Sequence, residues 1–268
     1  MKNKWGQIKT LIKEYYKDIA VLFIMVSVSW VLIYRIVSPP FTLLMLTRIV
    51  TSDGDFKYDY VSYNQISPYI KVCAMASEDQ NLPFHSGLDI EAIGKAINVN
   101  KKGRKVFGAS TISQQVAKNV FLFPQRSYIR KGLELYFAFL IETLWTKEKI
   151  LEMYLNVAEM GNLVFGVEAA ANTYYRKSAI QLSLNESAAI VAVLPSPLKY
   201  SIKNPGNYVA ARKTDIVDLF YSLDGTQYLR ELYIKSDKSL YDFRKDKKGY
   251  MKVFFIGIRT LNLWLITK

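Results

Sequence analysis

Hydrophobic and polar positions along this chain fall into one long apolar run followed by a series of helical stripes. The run from Ile19 to Tyr34, IAVLFIMVSVSWVLIY, is sixteen residues without a charge. At about 1.5 Å per residue it makes ~24 Å of helix, slightly short of a bilayer core. Arg35 interrupts it with a side chain able to snorkel to the interface. Beyond it, IVSPPFTLLMLT is again uncharged but holds Pro39-Pro40, which breaks a helix. The pattern predicts one transmembrane helix over 19–37, then a short apolar segment lying at the surface. Residues 1–18 carry Lys2, Lys4, Lys9, Lys13 and Lys17 against Glu14 and Asp18. The positive-inside rule makes that segment cytoplasmic and puts the remainder outside. Two rivals are a cleaved signal peptide and a buried core helix. The absence of a small-x-small cleavage site opposes the first, and the basic flank and length oppose the second.

After the apolar run the elements are mostly helical. Residues 51–70 read as loop with short extended pieces. Ile70 to Ser77 is apolar and small, ending at Glu78-Asp79. Asp89 is a candidate N-cap for IEAIGKAINV, and Thr111 with Gln114 makes a capping-box pattern before VAKNVFL. Leu133, Phe137, Leu140 and Leu144 share one stripe of a helix over 129–144. Another helix is predicted over Lys147 to Val157, with Gly161 and Gly166 as turn glycines. Ser183 and Glu186 make a second capping box before SAAIVAVL, which Pro195 and Pro197 stop. The fold class expected is mostly α, with one helical domain over 38–213. Residues 214–268 read as a separate basic and apolar tail: 230–268 hold ten Lys or Arg against four acids. The tail is either a second membrane-surface contact or a terminal helix packed on the domain.

Composition narrows the chemistry. There is one His, His85, and one Cys, Cys73, so a structural zinc and an intrachain disulfide are both ruled out. The net charge of +13 calls for an anionic partner. On an external, membrane-held domain that partner is anionic lipid or a phosphate-bearing lipid, and nucleic acid is a poor candidate. Catalysis then rests on carboxylates and basic side chains.

Three segments offer such groups. SEDQNLPFHSGLD, residues 77–89, places Glu78 at the end of an apolar helix, where partial loss of water suits a general acid or base. Asp79 and His85 lie in the same segment; a cap with a solvated turn is the plainer reading. GASTISQQVAKN, residues 108–119, sets Ser110 and Gln115 near a helix start that is able to bind an anion, with Lys118 and then Arg126 beyond it. Two cations of these kinds suit a diphosphate; solvated basic residues around a cap are the alternative. RKGLE, residues 130–134, puts Glu134 beside the apolar stripe, where a buried acid needs a partner or a role, and Arg130 and Lys131 one turn earlier are able to pair with it. Ser196-Pro-Leu-Lys199 spells Ser-x-x-Lys, but no Lys-Thr-Gly triplet follows.

In this order and spacing the segments resemble the family 51 peptidoglycan glycosyltransferases, a family that includes the glycosyltransferase half of class A penicillin-binding proteins. The first resembles Glu-Asp-x-x-Phe-x-x-His-x-Gly-x-Asp, with Leu82 at the Phe position and Phe84 two places later. The second resembles Gly-x-Ser-Thr-Ile-x-Gln-Gln, and the third Arg-Lys-x-x-Glu. KILEMYLNVAEMGNLVFGVEAAANTYY, LSLNESAAIVAVLPSP and PPFTLLMLTR resemble further blocks. The resemblance implies a lysozyme-like helical domain that polymerises lipid II into β-1,4-linked glycan and releases undecaprenyl diphosphate. It implies Glu78 as general base and Glu134 as the second essential acid, supporting the diphosphate site or a metal. Lys118 and Arg126 then contact the donor diphosphate. Ser110, Gln115, Lys131, Asp79 and His85 are polar groups around the cleft. Mg²⁺ or Mn²⁺ at the diphosphate is the cofactor it allows. The partners implied are lipid II, the growing glycan chain and membrane lipids, with penicillin-binding transpeptidases and divisome or elongasome proteins as protein candidates. The location implied is the cytoplasmic (inner) membrane, single-pass, with the domain facing the periplasm or cell exterior. A lytic enzyme on the same scaffold and an inactive cell-wall scaffold are the competing readings.

Overall fold

The computed structural model describes residues 2–90, 94, 110–125 and 127–234. Its first helix, α1 (Lys2–Ile36), runs unbroken through the basic flank, so the expected span at 19–37 falls in the C-terminal part of a longer helix. The 23 residues Glu14–Ile36 are long and apolar enough to cross a membrane. The helix stops just before Pro39-Pro40, which cannot supply the backbone donors to continue it.

The C-terminal half of α1 is docked on the domain. Val31 is fully buried, and its carbonyl accepts from Trp145 Nε1 at 2.9 Å. Ser27 Oγ lies 2.6 Å from the Tyr136 hydroxyl. Trp30 meets Phe121 edge-on at 5.4 Å, and Phe23 meets Tyr136 at the same separation. The surface segment is a second helix, α2 (Leu43–Thr51), capped by Thr42 Oγ1, which accepts from Met45 N. Met45 turns inward while Leu46, Ile49 and Val50 remain exposed.

The core is built around α3 (Pro68–Glu78). Ser67 caps it, Pro68 pre-sets its first turn, and every residue from Ile70 to Ala76 is buried. An all-round apolar helix must be enclosed. Here α8 (Leu184–Val193) and α9 (Asn207–Ser222) enclose it. Beside them, α4 (Ile112–Phe121) packs on α5 (Tyr128–Leu144) and α6 (Lys147–Val157). Both expected capping boxes form, at Thr111/Gln114 and Ser183/Glu186.

Strand is scarce. β1 (Lys57–Tyr58) runs parallel to β3 (Val164–Phe165), and β2 (Glu159–Gly161) pairs antiparallel with β3. Gly161 is therefore in a strand and not in a turn. A Cβ there would sit 1.9 Å from the Tyr174 hydroxyl, so any side chain at this position requires the Tyr174 ring to move. The turn falls on Leu163, at φ 56°. Gly166, at φ 83°, does cap the next helix, α7 (Val167–Tyr175).

The expected domain edge at 213 is crossed by α9 without a break. Ile216, Phe220 and Leu232 are buried, so residues 214–234 pack with the domain. Residues 235–268, with the expected membrane contact, lie outside the described residues, as does most of the stretch Asp89 was expected to cap.

Candidate active site

Glu78 is the last residue of α3, so its backbone is fixed by the core helix while its side chain reaches the edge of the core. The carboxylate is 14% exposed. Gln115 Nε2, from α4, donates to its Oε2 at 3.1 Å. Arg212 Nη2, from α9, donates to its Oε1 at 3.2 Å. Every donor here suits the ionised carboxylate, the form that accepts a proton.

Asp79 and His85 serve a different purpose. The buried Asp79 carboxylate accepts from Ile112 N at 2.9 Å and from His85 Nε2 at 2.9 Å. Gly87 N donates to His85 Nδ1 at 3.1 Å. A backbone N–H only donates, so Nδ1 carries no proton and the ring is neutral with its hydrogen on Nε2. Thr111 Oγ1 donates to Gly87 O at 2.7 Å, and Lys147 Nζ to His85 O at 2.6 Å. These bonds fasten the 79–87 loop to the starts of α4 and α6. The α4 start was expected to be open to an anion. Instead Asp79 occupies Ile112 N, and Thr111 Oγ1 accepts from Gln114 N. Ser110 lies exposed just before that cap and does not line the cleft. Leu82 is fully buried and Phe84 is half exposed, so the leucine fills the inward place in this loop.

Gln115 also lines a cleft of about 400 Å³ together with Lys118, Asn119, Arg130, Tyr154 and Glu159. Leu44 brings α2 to its rim, where Arg48 Nε donates to both Glu159 oxygens at 3.0 and 3.1 Å. Lys118 is the central cation. Burial lowers its pKa; Arg130 and Lys131 push the same way, against Glu134 and Glu78. Among the described residues no side chain forms an ion pair or hydrogen bond with its ammonium. Glu134, 3% exposed, is closed by its own helix: Arg130 Nη1 donates to Oε2 at 3.3 Å, and Lys131 Nζ donates to Oε1. Arg126 lies outside the described residues.

The same geometry bears on a metal. Both Glu134 oxygens already hold cations, and Lys118 adds a third positive charge nearby. Among the described residues no group of three or more His, Cys, Asp or Glu is placed to hold an ion. Among the described residues, the side chains around Glu134 do not fit a resident Mg²⁺ or Mn²⁺. Cys73 is excluded as a nucleophile, since it is fully buried and burial pushes its thiol up to about 12.

Of the residues the sequence points to, Gln115 and Lys118 line this cleft; Glu78 bonds to Gln115, and Glu134, with Lys131, bonds around Arg130, which lines it too. Arg212 and Tyr154 are missed. Arg212 shares a stripe with Val209, Ile216 and Phe220, all buried, and a lone cation on an apolar stripe was its readable signal. Tyr154 is buried beside Glu78, and that burial, with the nearby acid, raises its hydroxyl pKa.

Comparison with known proteins points the same way. A sequence model of the transglycosylase family matches residues 46–220. The chain is 45% identical over 216 residues to a biosynthetic peptidoglycan transglycosylase of Mannheimia succiniciproducens, an alignment covering 78% of this chain and 88% of that one. It is 46% identical over 215 residues to the Xanthomonas euvesicatoria protein of the same description, covering 78% and 87%. To that of Pseudomonas aeruginosa it is 45% identical over 230 residues, covering 84% and 99%.

Proposed function

The chain belongs to the transglycosylase family, and we infer that it polymerises lipid II into glycan strands with Glu78 as the general base. It is a peptidoglycan glycosyltransferase with the family's lysozyme-like helical domain. One observation carries the site reading. Gln115 donates to the Glu78 carboxylate from a cleft that is also lined by Lys118, a half-buried lysine with no ion-pair partner among the described residues.

The chemistry follows from those two groups. The Glu78 carboxylate takes the proton of the acceptor's 4-hydroxyl. The freed oxygen attacks the anomeric carbon of the donor and forms the new glycosidic bond. The bond from that carbon to the phosphate oxygen breaks, and undecaprenyl diphosphate departs with the electron pair. Attack opposite the leaving group gives the β-1,4 link. Negative charge grows on the diphosphate as the bond breaks, and in this reading Lys118 and Arg130, both lining the cleft, meet it. Glu134 keeps Arg130 and Lys131 from spreading apart. No step is routed through Mg²⁺ or Mn²⁺. A lytic reading has no use for this cationic cleft, because a glycan strand carries no diphosphate.

The membrane arrangement supports a lipid-linked substrate. The cleft rim includes α2, the segment directly after the span, and the domain is docked on the C-terminal half of α1. Five lysines before the span favour a cytoplasmic amino terminus and an external domain. Among the described residues nothing is arranged to cross-link the strands made. Lys199 Nζ lies over the Tyr200 ring, 5.6 Å from its centre, and the Ser196 segment is a turn with no catalytic partner. Penicillin-binding transpeptidases, within divisome or elongasome assemblies, are the protein partners this reading calls for.

The test is incubation of the detergent-solubilised protein with labelled lipid II, wild type beside Glu78→Gln, with products resolved on a gel. Polymer from wild type alone is expected. Bound lipid II without polymer in either sample would favour the scaffold reading, and shortening of preformed glycan would favour the lytic one.

A further inference from the structure

The one cation that touches Glu78 among the described residues comes from a distant part of the chain. Arg212 stands on α9, whose buried stripe packs it toward α3. Its Nη2 donates to Glu78 Oε1 at 3.2 Å and to Ser77 Oγ at 2.8 Å. Ser77 Oγ in turn donates to the same carboxylate oxygen at 3.3 Å. Arg212 Nε is buried without a hydrogen-bond partner, so one edge of the guanidinium does the holding. Gln115 takes the other carboxylate oxygen from the opposite helix. Two donors on two oxygens fix the plane of a side chain that otherwise rotates at the end of its helix.

We propose that Arg212 is a positioning residue for glycan polymerisation, aiming the Glu78 carboxylate at the acceptor hydroxyl. The proposal rests on the reading of Glu78 as base. Lys118 faces that carboxylate from α4 and Tyr154 from α6, and Asp79 lies next in sequence. Asp79 is committed to Ile112 N and His85, and Lys118 makes no direct contact among the described residues. Arg212 is thus the cation in contact. Without it Glu78 keeps Gln115 on one oxygen and only the neighbouring Ser77 on the other, and its side chain is free to rotate. Bound acceptor then meets a correctly aimed base less often, so turnover falls while substrate binding does not.

The experiment measures kcat and KM for lipid II polymerisation by the full chain in detergent, for wild type, Arg212→Lys and Arg212→Gln. Thermal unfolding of each is measured in parallel. A base left to rotate should lower the kcat of R212Q about tenfold while KM stays within about twofold of wild type. R212K, which keeps a cation on the stripe, should recover most of the rate. Should R212Q fail to fold, Arg212→Met fills the same stripe without charge and is read in the same way. A folded neutral variant with the wild-type kcat, or one whose KM rises as much as its kcat falls, overturns the proposal and leaves Arg212 a packing residue. A wild-type protein that makes no polymer sinks the functional reading and this proposal together, whereas an unchanged kcat in an active polymerase sinks this proposal alone.

Discussion

Glu78 and Glu134 each bond to a residue that lines the cleft, and they are held in opposite ways. Glu134 is closed by cations of its own helix, three and four residues back. Glu78 is held by side chains 37 and 134 residues away, on two other helices. The first arrangement is complete as soon as α5 forms, and it places a cation on each oxygen. The second exists only when α3, α4 and α9 have assembled, and it places a neutral amide on one oxygen and a cation on the other. In the proposed reaction Glu134 organises positive charge and Glu78 takes the proton, with Lys118 within the field of both.

The largest test of that division is Glu78→Gln. Removing a general base should lower polymerisation about 1000-fold. The amide keeps the shape and much of the hydrogen bonding, and the lost ion pair is partly exposed. Its melting temperature should therefore stay within about 2 °C of wild type. A fully active E78Q protein breaks the comparison at its first term.

Lys118→Met comes next, with polymerisation expected to fall about 100-fold through loss of charge at the leaving diphosphate. Its stability should move the other way. Burial lowers the folded-state pKa of Lys118 below the unfolded value. Below that lowered pKa the native state carries a buried ammonium at a cost, and the cost fades as pH rises toward the unfolded value. K118M should therefore melt at or above the wild-type temperature near neutral pH, with the gap closing in alkaline buffer. Calorimetry across pH checks this, and a clear drop in melting temperature would make Lys118 a structural residue.

Glu134→Gln should separate the two acids most cleanly. It leaves Arg130 and Lys131 without their anion, in a place where the acid was 3% exposed. We expect a loss of ~2 kcal/mol, lowering the melting temperature by about 5 °C. The turnover rate should fall about tenfold while KM for lipid II does not rise, because the cleft has become more positive. A variant as stable as E78Q and equally inactive would make the two acids equivalent and end the contrast.

What the sequence made legible divides along the same line. Contacts that close within one helix or cap could be read: the Arg130, Lys131 and Glu134 group, the boxes at Thr111/Gln114 and Ser183/Glu186, and the limits of Lys147–Val157. Contacts that close across the fold could not. Asp79 and His85 looked like cleft residues because they adjoin Glu78, yet Asp79 turns to the α4 start and His85 follows it. Gly161 looked like a turn because nothing local reveals the Tyr174 hydroxyl beside it. The span was plain from its apolar run, but its docking depends on Trp145 and Tyr136, more than a hundred residues on. Arg212 shows both sides. Its oddity on an apolar stripe is local, and its partner is not.

The smallest predicted effect tests how far the Glu134 arrangement depends on each cation. Lys131 is 46% exposed at its side chain, whereas Arg130 is 18% exposed and lines the cleft. An ammonium that exposed is hydrated and screened, so its attraction for Glu134 is worth little beyond what water supplies. Arg130 remains to satisfy one oxygen in Lys131→Met, and water reaches the other from the side the lysine occupied. Polymerisation should fall by no more than about threefold, and the melting temperature should stay within about 2 °C of wild type. The small loss should shrink further as ionic strength rises toward about 0.5 M, where surface attraction is screened in wild type as well. A loss that is large and indifferent to salt would mean Lys131 contacts the diphosphate directly. Positive charge at this end of the cleft would then be spent on substrate, and Glu134 would be holding two substrate-binding cations in place.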